Sequence, residues 1–340
     1  MNTQPGTFRP IFIVGNSRSG TTLMSKILNR NSGVHSFREL HYFERLWNAA
    51  DSTGLSEADA VELCAKLLLS CREGINADSS WKQYVTEASG LIAATGREVN
   101  GFDIYRVVLA AEAGVDPALR VCDQTPRNLF YLDELLNYFP DSQVLVMVRD
   151  PRAILLSQKN KWRRKSVKGK PIKLTERLRR WANYHPVLTS SMWESAINAG
   201  IKAMSSPAVK QVRFEDLVTR PEQTVGDICE FLGLNYSPSM LEVAGSMSPT
   251  GGAAKSDGKG IDAGVAERWR KELGAVDTFW CERANGVTLQ KLGYQRSTPR
   301  PAVLALAASL AMLPVKVGMA ALLNMGKMRN LLQSIRRRFG

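Results

Sequence analysis

Pro10–Leu28 reads PIFIVGNSRSGTTLMSKIL. Ile11–Val14 is a continuous apolar run, too short for a helix and rich in β-branched and aromatic residues, so it predicts a strand buried on both faces. Gly15–Gly20 is polar and bracketed by glycines. From Thr21 the pattern turns helical, with Leu23, Met24, Ile27 and Leu28 on one face. A strand, a glycine-bracketed loop and a helix make a phosphate cradle, because the loop amides and the positive end of the helix dipole converge on one anion. Thr21 and Thr22 add hydroxyl donors at the helix start.

Gly15 and Gly20 have the spacing of the triphosphatase loop G-x-x-x-x-G-K-[ST]. Thr21, however, stands where the lysine that reaches the β/γ-phosphates belongs. The basic residue lies inside the loop, as Arg18. This favours a shorter phosphate chain, with a cation beside the transferred group, over ATP or GTP. The bland alternative is a helix-capping Gly/Ser turn.

A second constellation follows about 130 residues later. Gln143–Val148, QVLVMV, predicts another buried strand, which ends in Arg149-Asp150-Pro151-Arg152. Ser157 lies two turns into the helix after it. A guanidinium at a strand's carboxyl end and a hydroxyl so placed can bind a phosphate bidentately. The alternative is an Arg149–Asp150 surface pair.

Together these motifs resemble the sulfotransferases. That family carries a [KR]-S-G-T-[TS] loop for the 5′-phosphosulfate of 3′-phosphoadenosine-5′-phosphosulfate (PAPS), and V-R-[DN]-P with a later serine for its 3′-phosphate. The form S-R-S-G-T-T-L-M is most similar to the branch of tyrosylprotein and bacterial carbohydrate sulfotransferases. The resemblance implies that Ser17, Arg18, Ser19, Gly20, Thr21 and Thr22 hold the phosphosulfate, and that Arg149 and Ser157 hold the 3′-phosphate. Lys259, Gly260, Gly264 and Trp269 approximate the family's K-G-x-x-G loop and downstream tryptophan, with one residue more between the glycines. A plain surface loop is the alternative there. Val209–Phe214 followed by Glu215-Asp216-Leu217 matches the family's V-R-Y-E-D-L signature, with a structural role implied.

Val34–Tyr42, VHSFRELHY, should end near the carboxyl edge of the sheet, where ligands bind in such folds. Glu39 stands where the tyrosylprotein branch has its catalytic glutamate, and His41 is the second candidate for the general base. On a strand the two would share a face, with Arg38 a candidate ion-pair partner for Glu39. Arg18 is the third candidate catalytic residue. Leu119–Asp123 predicts a further strand, running into Gln124-Thr125-Pro126-Arg127-Asn128, and Pro126 suits a helix start. The family's lysine in D-K-T-P is here Gln124, which brings no charge, so Arg18 or Arg127 would have to stand in.

Composition sets the outer bounds. The net charge of +13 over 340 residues points to anionic ligands or surfaces. Without zinc, RNP or basic-zipper patterns, nucleic acid is not expected. Five cysteines without C-x-x-C spacing read as reduced core residues in a cytosolic compartment, and no metal is called for. The first ten residues have no apolar core, so no signal peptide is expected. Lys159–Arg180 holds eleven lysines and arginines against one acid, Glu176. It reads as a solvated face, or as a rim that attracts PAPS, an anionic acceptor or anionic lipid. The tail 301–340 begins apolar, is interrupted by Pro314 and Lys316, and ends basic, which suits an interfacial anchor on an anionic membrane. A helix packed on the domain or a dimer contact are the alternatives.

The expected architecture is α/β, with a P-loop-like central parallel sheet of about four or five strands flanked by helices. Residues 9–296 form the sulfotransferase domain, with a helical insertion at 52–95, and 297–340 form the tail. The expected function is sulfuryl transfer from PAPS to an acceptor hydroxyl of a carbohydrate, glycolipid or small alcohol, in the cytoplasm or on the cytoplasmic membrane face. A P-loop-like nucleotide kinase and a non-catalytic nucleotide-binding protein are the alternatives.

Overall fold

The computed structural model describes residues 8–75, 77, 79–114, 119–164, 166–167, 170–243, 261–324 and 337. Its strands are β1 (Ile11–Gly15), β2 (Val34–Phe37), β3 (Arg120–Asp123), β4 (Gln143–Val148), the two-residue hairpin arms β5 (Ser166–Val167) and β6 (Lys170–Pro171), and β7 (Val209–Arg213). Five of them form one parallel sheet in the order β2-β3-β1-β4-β7.

All five residues of β1 are buried, and alternation along the strands sends them to two separate cores. Phe12 and Val14 join Val144, Val146 and Val148 beneath the helices Glu57–Arg72, Gly101–Ala113 and Pro186–Ala203. Ile11 and Ile13 join Leu145 and Met147 against the helices Thr21–Leu28, Phe214–Thr219 and Pro221–Leu232. Both faces are covered, as parallel strands joined by helical crossovers require. All five strands of this sheet point the same way. Register levels Gly15 with Met147, Phe37 with Asp123, and Val148 with Arg213 along one edge.

Several boundaries differ from the sequence expectation. Pro126 opens a 3₁₀ turn, Pro126–Tyr131, before the α-helix Leu132–Tyr138. Val209–Phe214 divides between β7 and the helix Phe214–Thr219, which Phe214 opens. A short helix follows at Trp269–Glu272. The 52–95 stretch shares one apolar cluster with β1 and β4. Pro314 and Lys316 do not interrupt the tail: one helix runs Val303–Asn324 through both. A proline removes one donor and crowds one carbonyl, which a 22-residue helix absorbs.

Candidate functional site

The site begins with two glycines that let a loop lie against its neighbours. A Cβ on Gly15 (φ +147) would stand 2.4 Å from the Met147 carbonyl oxygen of β4. A Cβ on Gly20 (φ +95) would stand 2.4 Å from Phe214 Cδ2. Only glycine fits either place. Between them Arg18 holds φ +79, and Ser19 N donates to Asn16 O at 3.1 Å.

Arg18 is the hub. Its Nε donates to Ser157 Oγ at 2.9 Å, and its carbonyl accepts from Arg149 Nη1 at 3.0 Å. The three residues singled out from two distant motifs thus meet. Arg149 is buried, lies 4.0 Å over the Phe214 ring, and also donates through Nη2 to Val265 O at 3.4 Å. Burial pushes its guanidinium down to about 10, against the pull of Glu215. Glu215 itself accepts from Asp150 N at 2.9 Å and from Tyr294 OH at 2.9 Å, tying the end of β4 to the end of β7.

Three buried donors in this region, Ser19 Oγ, Arg149 Nε and Arg180 Nη1, have no hydrogen-bond partner among the described residues. Each unmet donor costs about 1–3 kcal/mol. A ligand carrying several anionic oxygens satisfies such a set with charge-assisted hydrogen bonds, which are stronger than those a neutral acceptor makes.

The second half of the site comes from the turn after β2. Glu39 and His41 lie beyond the strand's end, and they meet through backbone curvature rather than strand alternation: His41 has φ +52. His41 Nε2 stands 3.1 Å from Glu39 Oε2, and its Nδ1 3.2 Å from Glu44 Oε2. Glu39 therefore pairs with His41; Arg38 is exposed, and the two form no ion pair. Burial pushes the Glu39 carboxyl up. The His41 hydrogen bond and charge, with Lys161 and Arg127 nearby, outweigh it and hold the carboxyl below its ordinary range.

The basic run supplies the third part. Burial lowers the Lys161 ammonium to about 8, helped by the charges of Arg18, Arg180, Arg164 and Arg179. Burial likewise lowers Arg164 to about 10, with Arg18 and Arg180 adding to it. Arg18 is depressed by burial and raised by Glu39. Five cations thus share a small volume, balanced by Glu39 and by Glu176, which pairs with Arg179 at 2.7 Å and Arg180 at 3.0 Å. The run is more than a solvated face. Lys161 was not singled out in the sequence, and only its place four residues after Ser157 hints at it.

Asp123 and Thr125 are positioning residues that the sequence reading passed over. Buried Asp123 accepts from Tyr105 OH (2.7 Å), Asn128 Nδ2 (2.8 Å), Thr125 N (2.9 Å) and Thr125 Oγ1 (2.6 Å). Thr125 Oγ1 in turn accepts from Leu40 N at 2.9 Å and His41 N at 3.4 Å, which fixes the Glu39–His41 turn to the end of β3. Gln124 between them is 5% exposed, and its buried Oε1 has no hydrogen-bond partner among the described residues. Arg127 pairs closely with Glu44.

Of the remaining predicted residues, Thr21 is buried at the helix start, while Ser17 and Thr22 are exposed. Lys259 and Gly260 lie outside the described residues. Trp269 is 3% exposed and stacks on Arg152 at 3.9 Å and Arg270 at 4.7 Å, a packing role rather than an open face for a base. Among the described residues, no cluster of three His, Cys, Asp or Glu could hold a metal.

Comparison with known proteins gives a consistent set. A model of the sulfotransferase family matches residues 10–238. Nodulation protein NoeE of Sinorhizobium fredii is 24% identical over 306 residues, which cover 84% of this chain and 66% of that protein. Protein-tyrosine sulfotransferase 2 of Gallus gallus is 27% identical over 253 residues, 72% of this chain and 57% of that one. The chain thus spans less than two thirds of the length of these relatives. The solved sulfotransferase domain from the Synechococcus PCC 7002 olefin synthase superposes with a TM-score of 0.53 at 21% identity, covering 86% of this chain and 98% of that one. That likeness is one of fold.

Proposed function

The chain belongs to the sulfotransferase family, and from that premise we propose that it moves a sulfuryl group from PAPS to an acceptor hydroxyl. The observation that carries the reading is that Arg149, at the end of β4, and Ser157, on the helix Pro151–Lys159, both bond Arg18 of the glycine-bracketed loop, with Ser19 Oγ and Arg149 Nε buried and unmatched beside them.

In this reading Ser17–Thr22 hold the 5′-phosphosulfate, and Arg149 and Ser157 hold the 3′-phosphate. Lys259 and Gly260 are assigned to the 3′-phosphate by resemblance alone. Bound there, PAPS supplies the sulfuryl group and a stable leaving group, 3′-phosphoadenosine-5′-phosphate. Most of what the protein contributes is positioning and charge, as in phosphoryl transfer. Arg18 and Lys161 oppose the negative charge that builds between donor and acceptor, the part that Gln124 cannot play. Glu39 takes the acceptor's proton at its carboxylate, and His41, bonded to it, orients the carboxylate and is the second candidate base. Thr125 holds their turn in place.

A carbohydrate, glycolipid or small alcohol is the proposed acceptor class. The tyrosine in the chicken relative's name is the further hydroxyl to test. Residues 9–296 are the proposed catalytic domain and 297–340 a tail, with a cytoplasmic location, peripheral to the membrane.

The test is turnover of radiolabelled PAPS measured beside ATP hydrolysis, with products searched by mass spectrometry for an added sulfate. PAPS consumption abolished by Arg18→Ala is expected. ATP hydrolysis with PAPS left intact would overturn the proposal in favour of a nucleotide kinase.

A further inference from the structure

The helix Val303–Asn324 lies on the surface and is apolar on its outward face as well as along most of the face it turns to the domain. It has a mean hydropathy of 1.9 over its most apolar window, yet none of its residues is buried. Its polar groups face the domain. Lys316 Nζ donates to Tyr184 O at 2.8 Å and Trp181 O at 3.4 Å, and lies 4.3 Å from the Trp181 ring centroid. Asn324 Nδ2 donates to Asn183 Oδ1 at 2.9 Å, and Asn324 Oδ1 accepts from Arg179 Nη1 at 3.1 Å. His185 Nε2 donates to the Ser309 carbonyl at 3.0 Å.

The half-buried positions Leu306, Ser309, Leu313, Lys316, Ala320 and Leu323 trace one helix face. The opposite face carries Val303, Leu304, Leu310, Val315, Val317 and Leu322, each between 43% and 82% exposed, and no charged side chain. Leu174 and Leu178, on the helix Leu174–Ala182 against which it packs, are also exposed, at 65% and 43%. A helix in water turns its apolar stripe to the core. One that leaves a second apolar face outward presents an interaction surface.

Charge chooses the occupant. The apolar patch borders the run Lys159–Arg180, with eleven cations and one acid, which an anionic headgroup layer complements. Lys316 chooses the orientation. A helix crossing a bilayer would carry this mid-helix ammonium into hydrocarbon; here two carbonyls of the domain hold it. We propose that Val303–Asn324, with Leu174 and Leu178, docks the protein in the plane of an anionic lipid surface while the Lys316 clasp stays closed. Arg179 and Arg180 share their helix with Leu174 and Leu178, so the site's cations then stand about one helix diameter (~10–12 Å) from the headgroups. This goes beyond the sulfuryl-transfer reading and is independent of it.

The test is flotation of the full chain with phosphatidylcholine vesicles, with and without phosphatidylglycerol. Association with the anionic vesicles alone, released by high salt, is expected. Leu304→Glu combined with Val315→Glu should abolish flotation while thermal stabilisation by 3′-phosphoadenosine-5′-phosphate persists, which shows a folded chain that has lost only its docking. Asn183→Cys with Asn324→Cys, bridged by a short bismaleimide, should still float. Loss of flotation on bridging, or retention through an alkaline wash, would mean that the helix swings out and spans. No flotation, with the Leu304→Glu, Val315→Glu chain changing from dimer to monomer, would mean that the face pairs two copies. Either result overturns the proposal. Failure to bind the nucleotide with flotation intact would overturn the sulfuryl-transfer reading alone.

Discussion

At Arg18 the chain accepts left-handed backbone, at a cost of about 1–2 kcal/mol for a residue with a side chain, to aim one guanidinium at Ser157 and one carbonyl at Arg149. Glu39 is set with similar care. Its carboxyl is pushed up by burial but held below the ordinary range by His41, Lys161 and Arg127, so it loses its basic form only as pH falls through that lowered value. The acid limb of kcat/KM should therefore fall below the ordinary carboxylate pKa of ~4.3. Glu39→Gln should lower kcat by ~10²-fold or more with donor affinity unchanged. Normal turnover in Glu39→Gln with none in His41→Ala would make His41 the base. Lys161 gives a second pH signature. Lowered to about 8, it is charged below that pH and neutral above it. Donor affinity should weaken as pH rises through about 8, with proton uptake on binding, and Lys161→Met should remove both effects in titration calorimetry.

At the scale of elements, the loop, the turn after β2 and the basic run are held by three different devices: glycine contact, the Asp123–Thr125 network, and ion pairs. A fourth joins the tail's root to the sheet. Arg152, 1% exposed, pairs with Asp150 at 2.7 Å and Glu282 at 2.8 Å, and Glu282 accepts from Ser297 N at 2.8 Å and Thr298 N at 3.0 Å. Glu282→Ala leaves a buried guanidinium short of a counter-charge and should cost about 3–5 kcal/mol, read as a lower urea midpoint at unchanged slope. The strands and the loop were legible because a parallel strand buried on both faces writes a continuous apolar run, as at Ile11–Val14 and Gln143–Val148. The turn holding Glu39 and His41 was misread as strand. Its shape depends on Thr125, 84 residues from His41, which no local pattern reports. The helix through Pro314 was misread for the same reason: contacts with Trp181, Tyr184 and Asn183 hold it, and its own sequence argues for a break.

Across the whole molecule, an excess of thirteen positive charges is not spread evenly. Arg18, Lys161, Arg164, Arg179 and Arg180 gather at the carboxyl edge of the sheet, and helix Leu174–Ala182 connects that cluster to the outward apolar face of the tail. The basic run was visible in the sequence; that it folds back over Arg18 was not, because the fold beyond the helix Pro151–Lys159 decides it. In the sulfuryl-transfer reading this edge recognises a nucleotide with phosphates at both its 3′ and 5′ positions. The measurement that tests it most directly is thermal stabilisation of the full chain by 3′-phosphoadenosine-5′-phosphate, compared with AMP, ADP and ATP at equal concentration, and with Arg149→Ala. A rise in melting temperature far larger for 3′-phosphoadenosine-5′-phosphate than for the other three, erased by Arg149→Ala, is expected. An equal rise with ATP would contradict it.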